Sequence, residues 1–65
     1  MNIIELNRVK AIRDHIGVLA DRMGIDPIEK TKAQNIATFY HANLHDTAHR
    51  AIRKGHAYLK HEVRA

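Results

Sequence analysis

The sequence predicts an all-α protein, a long antiparallel helical hairpin with a short C-terminal helix that assembles as a dimeric helical bundle. Apolar residues recur at helical spacing in both halves of the chain, and a helix-ending glycine stands just before an Asp-Pro pair that suits a helix start. The chain has 65 residues and no cysteine. One domain of this size buries little apolar surface and no disulfide can hold it together, so we expect oligomerisation.

Helix 1 is predicted over about residues 3–23. Asn2, followed three residues later by Glu5, has the spacing of a helix N-cap. Beyond it, apolar side chains alternate at spacings of three and four, which is typical of a helix with one buried side. These side chains are Val9, Ile12, Ile16, Leu19 and Met23.

A tight turn is predicted over residues 24–26, between two helices. Gly24 can adopt the left-handed conformation that ends a helix. Asp26 can cap the next helix, with Pro27 in its first turn and Glu29 at the third position of a capping box.

Helix 2 is predicted over about residues 27–54, with mainly small residues on its buried side: Ala33, Ala37, Tyr40, Leu44, Ala48 and Ala51. Small side chains interdigitate with large ones, so this side should face the apolar side of helix 1. Gly55 either ends helix 2 or is absorbed into a continuing helix, and a short third helix is expected in the C-terminal segment 56–64. The end of helix 2 and this segment should then extend past helix 1 as a basic overhang.

The overhang carries most of the positive charge. The formal net charge is +4, and residues 41–65 contribute five basic and two acidic side chains, a net of +3, together with five of the six His. A basic stretch of this kind favours binding to nucleic acid or another polyanion. The side chains predicted to contact phosphates or to stack on a base are Arg50, Arg53, Lys54, Tyr58, Lys60 and Arg64.

An alternative partner is another protein. On a continuous helix 2, the side opposite the alanines holds Ile28, Phe39, Ala42, Asp46, Arg50 and Arg53. Phe39 is the chain's single phenylalanine, and an aromatic side chain beside arginine is typical of an interface anchor. This side therefore predicts a protein-binding module or inhibitor of the phage or plasmid accessory type, although single exposed apolar residues are also common on surfaces that bind nothing.

Two further patterns carry less weight. His41, His45 and His49 would line one side of a continuous helix, and imidazoles four residues apart can bind zinc, but polar boundary residues are the favoured interpretation and no cofactor is expected. The turn also has half of a helix-turn-helix pattern. Lys30, however, falls where that unit buries an aliphatic residue, so a plain hairpin is favoured.

Enzymatic activity is not expected. The chain has neither cysteine nor serine to act as a nucleophile, and it has no glycine-rich phosphate loop. No signal-like or membrane-spanning run is visible, so a cytoplasmic location is expected. The favoured function is that of a small regulator that binds nucleic acid through the basic overhang.

Overall fold

The computed structural model describes residues 2–63. Over that range the chain forms three α-helices that pack together: α1 (Ile3–Arg22), α2 (Pro27–Ala42) and α3 (Ala48–Tyr58). A π-helical turn, Leu59–Val63, continues α3. The all-α prediction is confirmed, since the described residues contain no strand.

The turn between α1 and α2 is held by backbone hydrogen bonds and a cap. Gly24 has a φ of 71°, and the amides of Gly24 and Ile25 donate to the carbonyls of Asp21 and Ala20, as in a Schellman motif. The Asp26 side chain then accepts from the Glu29 amide at 2.9 Å. Backbone carbonyls in the last turn of α1 and a backbone amide in the first turn of α2 therefore find hydrogen-bond partners within a very short connection.

The prediction of one helix over residues 27–54 is wrong, because α2 ends at Ala42. The Phe39 carbonyl accepts from two loop amides and the Tyr40 carbonyl accepts from Asp46, which closes the end of the helix. His45 adopts a positive φ of 59° in this loop. The Thr47 hydroxyl accepts from the Arg50 amide and so starts α3 as its N-cap.

Of the two alternatives for Gly55, the second is correct: Gly55 is absorbed into a continuing helix, since it lies inside α3. A Cβ built at Gly55 would meet Ile16 Cδ1 at 2.8 Å and the Ala33 carbonyl oxygen at 3.1 Å. The missing side chain therefore lets the backbone of α3 approach both other helices.

The core combines a few large aliphatic side chains with alanine. Ile12, Ile16 and Leu59 are fully buried, and each contributes roughly 1.5–3 kcal/mol by leaving water. The buried alanines are Ala20, Ala33, Ala37 and Ala51. Leu44, predicted to face helix 1, is instead 52% exposed because it lies in the loop after α2.

Polar contacts show how α2 lies between its two neighbours. The Gln34 side chain donates to the Arg13 carbonyl of α1 at 2.9 Å. On the other side, the Tyr58 hydroxyl at the end of α3 donates to the Glu29 carboxylate near the start of α2. The predicted basic overhang is therefore wrong: α3 folds back along α2 and does not extend past helix 1. No helix within residues 2–63 is both long enough and apolar enough to cross a membrane.

Candidate nucleic-acid interface

The side chains on the two sides of α3 differ in both size and charge. Its inward side carries Ala51 and Gly55, which are buried against the other helices. Its outward side carries three exposed basic residues, which we call the cationic face: Arg50, Arg53 and Lys54. Because the inward residues are small, the helix packs closely while its long basic side chains remain in solvent.

The cationic face is not neutralised by ion pairs. The ion pairs found among residues 2–63 join Lys30 to Asp21 at 3.1 Å and Lys32 to Glu29 at 3.4 Å. Neither pair includes a residue of α3. The positive charge of the cationic face is therefore available to an anionic ligand.

A shallow hollow of about 410 Å³ follows the cationic face. All three basic residues line it, together with Asp46 from the preceding loop and Ala57 from the last turn of α3. Asp46 is the acidic member of this lining.

The three remaining predicted nucleic-acid contacts have different outcomes. Tyr58 is directed towards α2, where its hydroxyl donates to Glu29, and this hydrogen bond raises the pKa of Tyr58 above its ordinary value. We therefore do not retain Tyr58 as a base-stacking residue. Lys60 is exposed on the π-helical turn, and Arg64 lies outside the described residues.

The predicted protein-binding side is divided by the loop. Ile28, Phe39 and Ala42 remain exposed on α2, whereas Asp46 lies in the loop and the two arginines lie on α3. The prediction of one continuous side was wrong because it assumed an uninterrupted helix. Ile28 is 70% exposed and Phe39 is 50% exposed.

The three histidines do not form a ladder. His41 lies at the end of α2 with its Nδ1 2.9 Å from the Asp46 carbonyl oxygen, His45 lies in the loop, and His49 lies in the first turn of α3. Within residues 2–63 no cluster of three or more His, Asp or Glu side chains is arranged to hold a metal ion. The end of α2 explains the difference, since spacing by four aligns residues only while the helix continues.

A contact between aromatic and basic residues escaped the sequence analysis. Lys54 Nζ lies 5.2 Å from the centroid of the Tyr40 ring, and that ring is 5.9 Å from the Phe39 ring, measured between centroids. The cationic face therefore adjoins an exposed phenylalanine. The available signal was the Asp46-Thr47 pair, because both residue types favour helix N-caps and so indicate that a new helix begins.

Comparison of the chain with protein-family models, with curated proteins and with solved structures gave no match. The function must therefore be inferred from the charges, contacts and exposure of this chain's own residues.

Proposed function

We propose that the protein is a small non-enzymatic regulator that acts in the cytoplasm and binds nucleic acid through the cationic face of α3. The observation that supports this most directly is the set of three exposed basic side chains on one side of a short helix, none of them in an ion pair with another described residue. Basic side chains that meet phosphates release condensed counterions, and this release drives binding that depends little on sequence.

The length of α3 and the spacing of its basic side chains are consistent with contact to a few consecutive phosphates of a nucleic acid. The helix α3 has 11 residues, so it is roughly 16 Å long. Arg50 and Lys54 are separated by one turn and project from the same side, with Arg53 beside them. A helix that presents three cations in this way can follow a phosphate backbone, and Lys60 on the next turn extends the same charge.

The test is a pair of double variants with equal loss of charge. Arg50→Ala with Arg53→Ala removes two cations from the proposed site, whereas Lys10→Ala with Arg22→Ala removes two exposed cations from α1. Affinity for a fluorescent oligonucleotide is measured by anisotropy over a range of salt concentrations. We expect the first variant to bind roughly tenfold more weakly and its salt slope to fall by about 2.

The control variant, Lys10→Ala with Arg22→Ala, should keep nearly all of the salt dependence of binding that the wild type shows. Equal effects of the two double variants would show that only net charge matters, and an unchanged slope in the first would remove α3 from the interface. Circular dichroism of both variants checks that helical content is preserved.

Self-association is the second candidate property, and exposed apolar residues at the start of α1 favour it. Ile3 is 73% exposed and Ile4 is 61% exposed, both in the first turn of that helix. We propose that the hairpin of α1 and α2 pairs with that of a second copy and so covers these side chains. Sedimentation equilibrium should give twice the chain mass for the wild type, and Ile4→Asp should lower it. A wild-type mass equal to one chain would contradict the dimer.

A further inference from the structure

Phe39 presents a half-exposed aromatic ring to solvent and is linked to Lys54 of the cationic face through Tyr40. Its ring contacts the Tyr40 ring edge to face, with an interplanar angle of 81°. Lys54 approaches the same Tyr40 ring from α3. Tyr40 is only partly exposed and contacts both the Phe39 ring and the Lys54 ammonium group.

The break in the predicted long helix produces this arrangement. Had residues 27–54 formed one helix, Phe39 and Lys54 would have been separated by fifteen residues along it, or roughly 22 Å. The loop after Ala42 instead returns α3 along α2. The sequence placed Phe39 on one side of a continuous helix with Arg50 and Arg53. In the structure Lys54 instead reaches Tyr40, the neighbour of Phe39, from a separate helix.

We propose that the ligand of this surface is single-stranded nucleic acid, with one unpaired base stacked on Phe39 and the adjoining phosphates held by Arg50 and Lys54. This inference rests on the proposed function. Single-strand sites combine basic side chains that follow the backbone with aromatic rings on which bases stack, and such stacking is tolerant of sequence because every base has a flat face. Phenylalanine suits this role because it offers a ring and no hydrogen-bonding group.

A nucleic-acid duplex can contact the basic residues of this surface but not its aromatic ring. Its phosphates can meet the cationic face, but its bases are stacked on one another and their faces cannot reach a ring on the protein. The phenylalanine would then remain in water. The combination of a half-exposed ring with neighbouring cations therefore favours an unpaired strand over a duplex.

The first measurement compares two ligands and three variants. Binding of a short oligothymidylate and of a blunt duplex of mixed sequence is measured for Phe39→Ala, for Phe39→Leu and for Ile28→Ala, which removes an exposed apolar side chain from the other end of α2. We expect both Phe39 variants to bind the single strand about tenfold more weakly, with the salt slope and the duplex affinity unchanged. Ile28→Ala should bind both ligands as the wild type does.

A second measurement reports the stacking directly. The chain contains no tryptophan, so Phe39→Trp introduces a single tryptophan at the proposed stacking position, and its emission can be excited selectively at wavelengths that the two tyrosines do not absorb. Oligothymidylate should quench its emission strongly, and an equal concentration of duplex should quench it weakly. Ile28→Trp is the matched control and should respond to neither ligand.

Each contrary result has a distinct meaning. Unchanged single-strand affinity in Phe39→Ala, with a loss in the Arg50 and Arg53 double variant, overturns the stacking inference and leaves the proposed function intact. Binding of neither ligand by the wild type overturns both. A change in sedimentation mass in Phe39→Ala without a change in affinity would assign Phe39 to a protein interface.

Discussion

At the scale of single residues, two helical glycines have opposite environments. A Cβ at Gly55 would lie 3.1 Å from the backbone carbonyl of Ala33 and 3.2 Å from the Ala37 Cβ, neither of which can move independently of α2. A Cβ at Gly17 would meet the ends of the Gln34 and Lys30 side chains, at 3.1 and 3.3 Å. Long side chains can move aside, whereas a helix backbone cannot do so without repacking.

The two positions should therefore respond differently to alanine. Gly55→Ala is expected to lower the free energy of unfolding by about 1–3 kcal/mol, because overpacking outweighs the better helix propensity of alanine. Gly17→Ala is expected to be neutral or to stabilise by up to about 1 kcal/mol. Urea denaturation of both variants measures this. A stabilised Gly55→Ala variant would mean that α3 does not pack closely against α2.

At the scale of helices, the hydrogen bond between Tyr58 and Glu29 joins the end of α3 to the start of α2. The Glu29 carboxylate accepts a hydrogen bond from the Tyr58 hydroxyl, and this bond raises the pKa of Tyr58. The folded state then holds this proton more tightly than the unfolded state does. The resulting stabilisation is complete below the ordinary tyrosine pKa of about 10, and it is lost as the pH rises through the raised pKa of the folded protein.

Comparison with Tyr58→Phe distinguishes the stability contributed by this hydrogen bond from other effects of alkaline pH on the protein. The wild type should be more stable than the variant in urea at about pH 7. The difference should shrink at about pH 11, because the unfolded state there loses the tyrosine proton that the folded state holds more tightly. A difference that stayed constant between these pH values would show that Tyr58 stabilises the protein through packing alone.

The sequence was most informative where the chemistry of a helix end is local. Gly24, Asp26 and Pro27 indicate a stop and a start within a few residues, and their backbone hydrogen bonds have that form. The loop between α2 and α3 lacks both glycine and proline, and apolar Tyr40, Leu44 and Ala48 keep helical spacing across it. Periodicity alone therefore predicted a continuous helix, and the cap at Thr47 was overlooked.

At the scale of the whole molecule, the sequence identified the basic residues of α3 but did not show the aromatic residues that lie near them. The arginines at positions 50 and 53 were recognisable from composition and spacing. Their position on the same side as Phe39 was expected only for a continuous helix. The contact between Lys54 and Tyr40 was not recognisable, because it depends on the direction in which α3 returns after the loop. That direction is set by tertiary packing, where Gly55 fits against Ile16 and the alanines of α2.

The fold therefore presents a single surface in which a cationic helix lies next to an exposed aromatic ring. The described residues measure about 35 Å along their longest axis and 17 and 16 Å across.

Backbone amide chemical shifts, followed by NMR while unlabelled oligothymidylate is added, test the central claim most directly. The account predicts that the largest changes occur at residues 50–54 of α3 and at Phe39 and Tyr40 of α2, with little change along α1. Changes confined to α1, or the absence of any change at ligand concentrations well above that of the protein, would contradict it.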